Sequence, residues 1–174
     1  MSNLNINIDN LSPNGVQHKI SYFKNQMVTP QEYLKHLATT PSDKKVGEIY
    51  TEYNKRLFEN NAMDFDDLLL KPIELFENNE KILHKYKKMF KYILVDEYQD
   101  TNKAQYELLK MLSPLKDKVC VVGDDAQSIY SWRGAEIKNM LNFKKDFKGS
   151  KIFHLEQNYR STKMILMAAD SVIK

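Results

Sequence analysis

Three polar clusters carry the residue types from which phosphoryl chemistry is built. Asp96-Glu97-Tyr98-Gln99-Asp100, Gly123-Asp124-Asp125-Ala126-Gln127 and Glu156-Gln157-Asn158-Tyr159-Arg160 each follow a short apolar run. Adjacent carboxylates repel one another, and a divalent cation is the natural compensating charge. An Asp straight after a buried strand is where a nucleotide-hydrolysing site holds Mg²⁺, directly or through water. A neighbouring Glu can orient and deprotonate an attacking water. Arg160 is the only arginine in the clusters, and its planar fork suits a phosphate; taken alone, a surface salt bridge with Glu156 accounts for it as well. The acids also have a plainer reading, as helix caps or a solvated rim. Three clusters at the carboxyl ends of strands in one sheet weigh against it, because open α/β sheets bind ligands there.

Ser128-Ile129-Tyr130-Ser131-Trp132-Arg133-Gly134 is a different kind of signal. Tyr130 and Trp132 lie two apart, so an extended backbone points both rings the same way, with Arg133 beside them. Aromatics next to a cation form a stacking platform for single-stranded bases, worth about 1–3 kcal/mol per base. Composition alone leaves a core role for the only tryptophan equally open.

The elements that must position these residues fall into two parts. The first is helical. Thr29-Pro30-Gln31-Glu32 is a strong helix start, and Tyr33, Leu34 and Leu37 form its apolar side until Thr39-Thr40-Pro41. A longer helix begins near Ser42 with Val46, Ile49, Tyr50, Tyr53 and Leu57 at helical spacing. Asp64 caps a third helix carrying Phe65, Leu68, Leu69, Ile73 and Phe76, which Pro72 should kink or interrupt. Asn79 opens a fourth, with Ile82, Leu83 and Tyr86 on one face. The Asn-rich opening, to about Asn14, has no clear period. From Lys91 the pattern changes to short β-rich runs, Tyr92–Val95, Val119–Val122 and, more weakly, Ile152–Leu155. Helical segments separate them, at Asn102 to about Leu112 and roughly Ala135 to Phe143, and a last helix starts near Ser161. Runs apolar on both faces and alternating with helices predict a parallel sheet in an α/β layer fold.

Composition narrows the classes. A chain of 174 residues, 42% hydrophobic with net charge +3, can bury a core and is not disordered. The single cysteine, Cys120, excludes an internal disulfide, and its apolar run suggests a small buried residue. No apolar stretch approaches the ~20 residues of a membrane span. Soluble and reducing surroundings are therefore expected, with the cytoplasm as location. The glycines, at 15, 47, 123, 134 and 149, are separated by 32, 76, 11 and 15 positions. A G-x-x-x-x-G-K-[ST] phosphate loop needs two glycines five apart, so this stretch holds none, and the same count excludes a Gly-rich dinucleotide fingerprint. His18, His36, His84 and His154 lack metal-ligand spacing. Lys85, Lys87, Lys88 and Lys91 read as a solvated face, and the eight methionines as core filler.

Three stretches resemble successive signature motifs of the UvrD/PcrA/Rep-type superfamily 1 DNA helicases. They are Val95-Asp96-Glu97-Tyr98-Gln99-Asp100-Thr101-Asn102 with Gln105, Val122 through Ala135, and Leu155-Glu156-Gln157-Asn158-Tyr159-Arg160-Ser161. Met63-Asp64-Phe65-Asp66-Asp67-Leu68-Leu69 resembles a fourth, upstream in the right order. The resemblance is strong from about Ala62 to Thr162 and weak over the helical beginning.

That resemblance implies a partial RecA-like parallel sheet flanked by helices, with an N-terminal all-helical subdomain. Residues 1–61 would be the helical insertion of the first motor lobe, 62–155 the C-terminal half of its ATPase core, and 156–174 the start of the second lobe. It implies roles for single residues: Asp96 holding Mg²⁺, Glu97 activating water, Gln127 sensing the γ-phosphate, Tyr159 stacking on adenine and Arg160 acting as arginine finger. Tyr130, Trp132 and Arg133 would contact single-stranded DNA. Ala126 stands where the family often has an acid. The family's phosphate loop would lie upstream of Met1 and most of the second lobe beyond Lys174, so the chain reads as an interior fragment of an ATP-dependent 3′–5′ helicase, inactive alone. ATP and Mg²⁺ are the implied cofactors. Single-stranded and duplex DNA and the remainder of the motor are the implied partners, with no membrane, and self-association through exposed sheet edges is expected. The other readings are a non-catalytic module binding single-stranded DNA or a partner, and a two-metal nuclease. The nuclease leaves the aromatic segment unexplained.

Overall fold

The computed structural model describes residues 11–113 and 118–173; residues 1–10 of the Asn-rich opening lie outside them. The helical part begins earlier than its periodicity suggests. The Ser12 hydroxyl accepts the Gly15 N–H at 3.1 Å, and Pro13 occupies the first position of α1, Pro13–Asn25. Its buried stripe is Val16, Ile20 and Lys24. A lysine in the third apolar place hides the pattern. Thr29 and Glu32 form the expected capping box of α2, Pro30–Glu32, which continues as a π-helical turn, Tyr33–Leu37. Thr40 and Asp43 form another at the start of α3, Pro41–Glu59. Val16, Ile20, Tyr33, Val46, Ile49 and Tyr50 close one core, and the Tyr50 hydroxyl donates to the Val28 carbonyl at 3.0 Å.

The second part opens with α4, Asp67–Asn78, and α5, Glu80–Met89. α4 runs through Pro72 without a break. The expected interruption does not occur because Pro72 forfeits only one backbone bond while Ile73 and Phe76, buried in the same helix, hold it in place. Strand β1, Ile93–Val95, pairs in parallel with β2, Val119–Val121, in the register Ile93↔Val119 and Val95↔Val121. The crossover is α6, Lys103–Leu112, opened by a reciprocal Asn102–Gln105 box. Short helices α7, Ile137–Leu141, and α8, Phe143–Asp146, follow, then α9, Lys163–Ile173. A second core of Tyr98, Leu109 and Phe147, with Met140 and Phe143 packed against it, covers Ile93, Val95, Val119 and Val121. The result is a mixed helical chain around a two-stranded parallel sheet, consistent with a partial RecA-like α/β fold carrying a helical subdomain.

Several expectations fail, and among the described residues the sheet has one covered face, not two. Leu94 is 79% exposed, and Cys120, expected to be buried, is exposed beside it. Ile152–Leu155 is not a strand. Among the described residues it has no ladder partner, and Ile152, Phe153 and Leu155 stand in solvent. Four of the methionines, Met63, Met89, Met164 and Met167, are exposed and fill no core.

Candidate nucleotide and nucleic-acid site

The first two acidic turns are built as one unit. Glu97 adopts a left-handed conformation, φ 50° and ψ 41°, and reverses the chain directly after β1 and Asp96. The reversal sends Tyr98 into the core, where its ring is 0% exposed, and leaves Asp96 and Glu97 outside. Burial and the nearby Asp146 carboxylate push the Tyr98 phenol up to about 12. Its backbone N–H donates to the Val122 carbonyl at 2.9 Å, extending the ladder past the strand ends. Gln99 is buried and joins the turns. Its amide nitrogen donates to Glu97 Oε2 at 2.8 Å, and its Oε1 accepts the Asp124 N–H at 3.0 Å. Gly123 permits this approach, since a Cβ there would lie 2.7 Å from Gln99 Oε1. Gln127, in the turn Asp125–Gln127, donates to Asp124 Oδ2 at 2.8 Å.

Asp96, Glu97, Asp100, Thr101 and Gln105 line a pocket of about 360 Å³ at the strand ends. Asp96 Oδ1 accepts the Glu97 N–H at 2.9 Å, which fixes that carboxylate outward. Asp100 Oδ1 is buried in the same turn without a hydrogen-bond partner. An orphaned carboxylate oxygen beside two exposed acids fits a cation or its water shell. Among the described residues, no group of three or more metal-ligating side chains converges. Mg²⁺ needs none, because it is commonly held by one or two carboxylates together with substrate phosphates. The arrangement offers no comparable support for a two-metal site.

The aromatic segment is a turn, not the expected extended run. Ser131–Arg133 is 3₁₀-helical, closed by Gly134 at φ 86° and by the Gly134 N–H donating to the Ser131 carbonyl. The Tyr130 and Trp132 rings nevertheless lie side by side, centroids 6.4 Å apart. Trp132 is 66% exposed, so it is a surface ring and not the core residue that composition left open. The third cluster does not join the other two. Asn158 Oδ1 accepts the N–H groups of Arg160 and Ser161 in a local turn, and Tyr159 is 92% exposed. Convergence of all three clusters at one edge is thus corrected to two.

Sequence reasoning missed the polar core beneath the fourth motif. The Lys24 ammonium, 1% exposed, pairs with Asp64 Oδ2 at 2.7 Å and Asp67 Oδ1 at 2.9 Å. Asp64 Oδ1 accepts the Asp67 N–H at 2.9 Å and Asp67 Oδ2 the Asp64 N–H at 3.3 Å, so Asp64 closes the turn leading into α4, while the helix's own N-cap position is Asp66, which makes no side-chain cap. The Tyr53 hydroxyl donates to Asp64 Oδ2 at 2.9 Å, and burial with that bond pushes it up to about 12. Burial pushes the Asp64 carboxyl up. Bonds from Lys24, the Asp67 N–H and Tyr53 outweigh this and hold it below its ordinary value. Spacing i, i+4, i+8 from Val16 was the signal that could have flagged Lys24.

A partial α/β fold, a parallel sheet edge bearing two linked acidic turns and an adjoining exposed aromatic turn together define the class, and comparison agrees. Residues 1–148 match the UvrD/REP helicase N-terminal domain, and the chain belongs to that family. It is 46% identical over 170 residues to the ATP-dependent DNA helicase PcrA of Bacillus subtilis, covering 98% of this chain and 23% of that protein. It is 48% identical over 174 residues to PcrA of Staphylococcus aureus strain NCTC 8325, covering 100% and 24%. PcrA of Staphylococcus epidermidis is 48% identical over 170 residues. The chain spans about a quarter of the length of these curated relatives. No helix among the described residues is long and apolar enough to cross a membrane.

Proposed function

We propose that these residues serve as part of an ATP-dependent DNA helicase motor that moves along single-stranded DNA and unwinds duplex in the 3′–5′ sense. The observation that carries the reading is the Gln99 bridge, which ties the Asp96–Glu97 turn to the Asp124–Gln127 turn at one sheet edge. Asp96 would hold Mg²⁺, which would supply positive charge to offset that of the nucleotide phosphates. Glu97 accepts the proton of the attacking water, and Gln127 contacts the γ-phosphate. Tyr159 stacks on adenine and Arg160 steadies the developing charge once 156–174, read as the start of a second lobe, is carried against 62–155. Tyr130, Trp132 and Arg133 receive single-stranded DNA. Residues 1–61 form the helical insertion.

The 174 residues alone do not turn over ATP, because no G-x-x-x-x-G-K-[ST] loop within them cradles the β- and γ-phosphates. Trp132 is the only tryptophan, so its emission reads DNA directly. An oligo-dT titration should quench it weakly, and added salt should weaken the binding further. ATPase rates with saturating oligonucleotide should equal those of an Asp96→Ala, Glu97→Gln double variant. An unresponsive Trp132 in a chain that still binds DNA overturns the aromatic assignment, and ATPase above the variant background overturns the account of the missing cradle.

A further inference from the structure

Three consecutive residues at the end of α1 reach three separate segments. Lys24 enters the start of α4 through Asp64 and Asp67. The Asn25 amide donates to Asp66 Oδ1 at 2.9 Å, while its Oδ1 accepts from Asn102 Nδ2 at 2.6 Å. Gln26 Nε2 donates to the Gly134 carbonyl at 3.5 Å. Successive helical residues fan about 100° apart, which lets one helix end serve three directions. The end is itself fixed, by Met27 at φ 57° and by the Val28 N–H donating to the Phe23 carbonyl at 2.9 Å.

Two of the segments so gathered adjoin the two functional turns. Asn102 follows the acidic turn 96–100 and caps α6. Gly134 closes the aromatic turn, and a Cβ on it would lie 3.6 Å from Asn25 Cβ and 4.0 Å from Asn102 Cβ. The two segments also meet directly, in the Asn102–Ala135 bridge and the Glu136 N–H donating to the Thr101 carbonyl at 3.0 Å. α1 lies in the helical part, and Asn25 is 77 residues from Asn102 and Gln26 108 from Gly134, so this contact is a choice of the fold and not of chain proximity.

We infer that Asn25 and Gln26, braced by Lys24, are positioning residues that hold the aromatic turn in register with the acidic turn for single-stranded DNA. This rests on the reading of Tyr130, Trp132 and Arg133 as the DNA contact. Neither residue is assigned a contact with DNA. Their effect passes through Gly134 and Asn102. The lever is geometric: releasing either bond lets the turn carrying Trp132 settle away from its binding pose.

The test uses the full chain, with Asn25→Leu, Gln26→Ala and, as a destabilised comparison, Val46→Ala in the helical core. Gln26 is only partly buried and its loss leaves the cores intact. At a temperature where all four proteins are folded by circular dichroism, oligo-dT affinity is read from Trp132 quenching, and the emission maximum from the free proteins. Asn25→Leu and Gln26→Ala should each weaken binding about five-fold or more, the scale of a site-to-site coupling, and shift the free emission. Val46→Ala should do neither, although it lowers the melting temperature. Binding and emission unchanged in both clamp variants overturn the inference alone. Absence of quenching in the unsubstituted chain overturns the DNA reading, and the inference with it.

Discussion

Glu97 holds a conformation that a non-glycine residue pays for, about 1–3 kcal/mol when the surroundings impose it. What the strain secures is visible around it: Tyr98 drops into the core, Gln99 turns toward Asp124, and two carboxylates remain outside. Glu97→Gly relieves the left-handed penalty and removes the carboxylate together. Its urea midpoint should rise, by up to about 1 kcal/mol of stability once glycine's own entropy cost is subtracted. A midpoint below that of the unsubstituted chain would mean the Gln99–Glu97 bond outweighs the strain. The same side chain would then be structural before it is chemical.

The α1–α4 junction shows how elements are joined by charge. Lys24→Met leaves the half-buried Asp64 and the buried Asp67 without their shared cation, and should cost about 3 kcal/mol in a denaturant melt. The pH dependence has a definite sign. Asp64 is depressed in the folded state, so its contribution is fully present above its ordinary value of 3.8 and is lost as pH falls through the lower folded value. Melting temperature should therefore drop on acidification below about pH 4. Asp64→Asn, less stable at pH 7, should show a flatter acid limb, and an equally steep one would assign the acid sensitivity elsewhere. The capping box at Thr29 was legible in the sequence because it is local, complete within four residues; those at Thr40, which was read as a helix stop, and at Asn102 emerged only in the fold. Lys24 was not legible, since its partners lie 40 and 43 residues away. The order of Asp96, Glu97 and Gln127 along the chain was readable too. The Gln99 bridge that joins their turns required the fold.

At the scale of the whole molecule, the second part is unevenly covered. Leu94, Val122, Phe153 and Leu155 are exposed, as are Met164, Ile165, Met167 and Val172 of α9. Apolar runs at 92–95, 119–122 and 152–155 promised a sheet buried on both sides. Sequence pattern records what a segment is suited to lie against, not whether that neighbour is present among the same residues. Exposed apolar surface beside open strand edges favours association. Light scattering at rising concentration should show a growing mass, relieved by Leu94→Lys on the open face. A sharp monomer throughout would refute this.

Cys120 sits on that open face as the chain's only thiol. It therefore works as a clock. A maleimide or disulfide reagent should modify every molecule once, and quickly, wherever the sheet is bare. Anything laid across the strands, whether a second copy or another protein segment, should slow the reaction in proportion to the time it spends there. One atom of sulfur turns coverage of the sheet into a rate that can be timed.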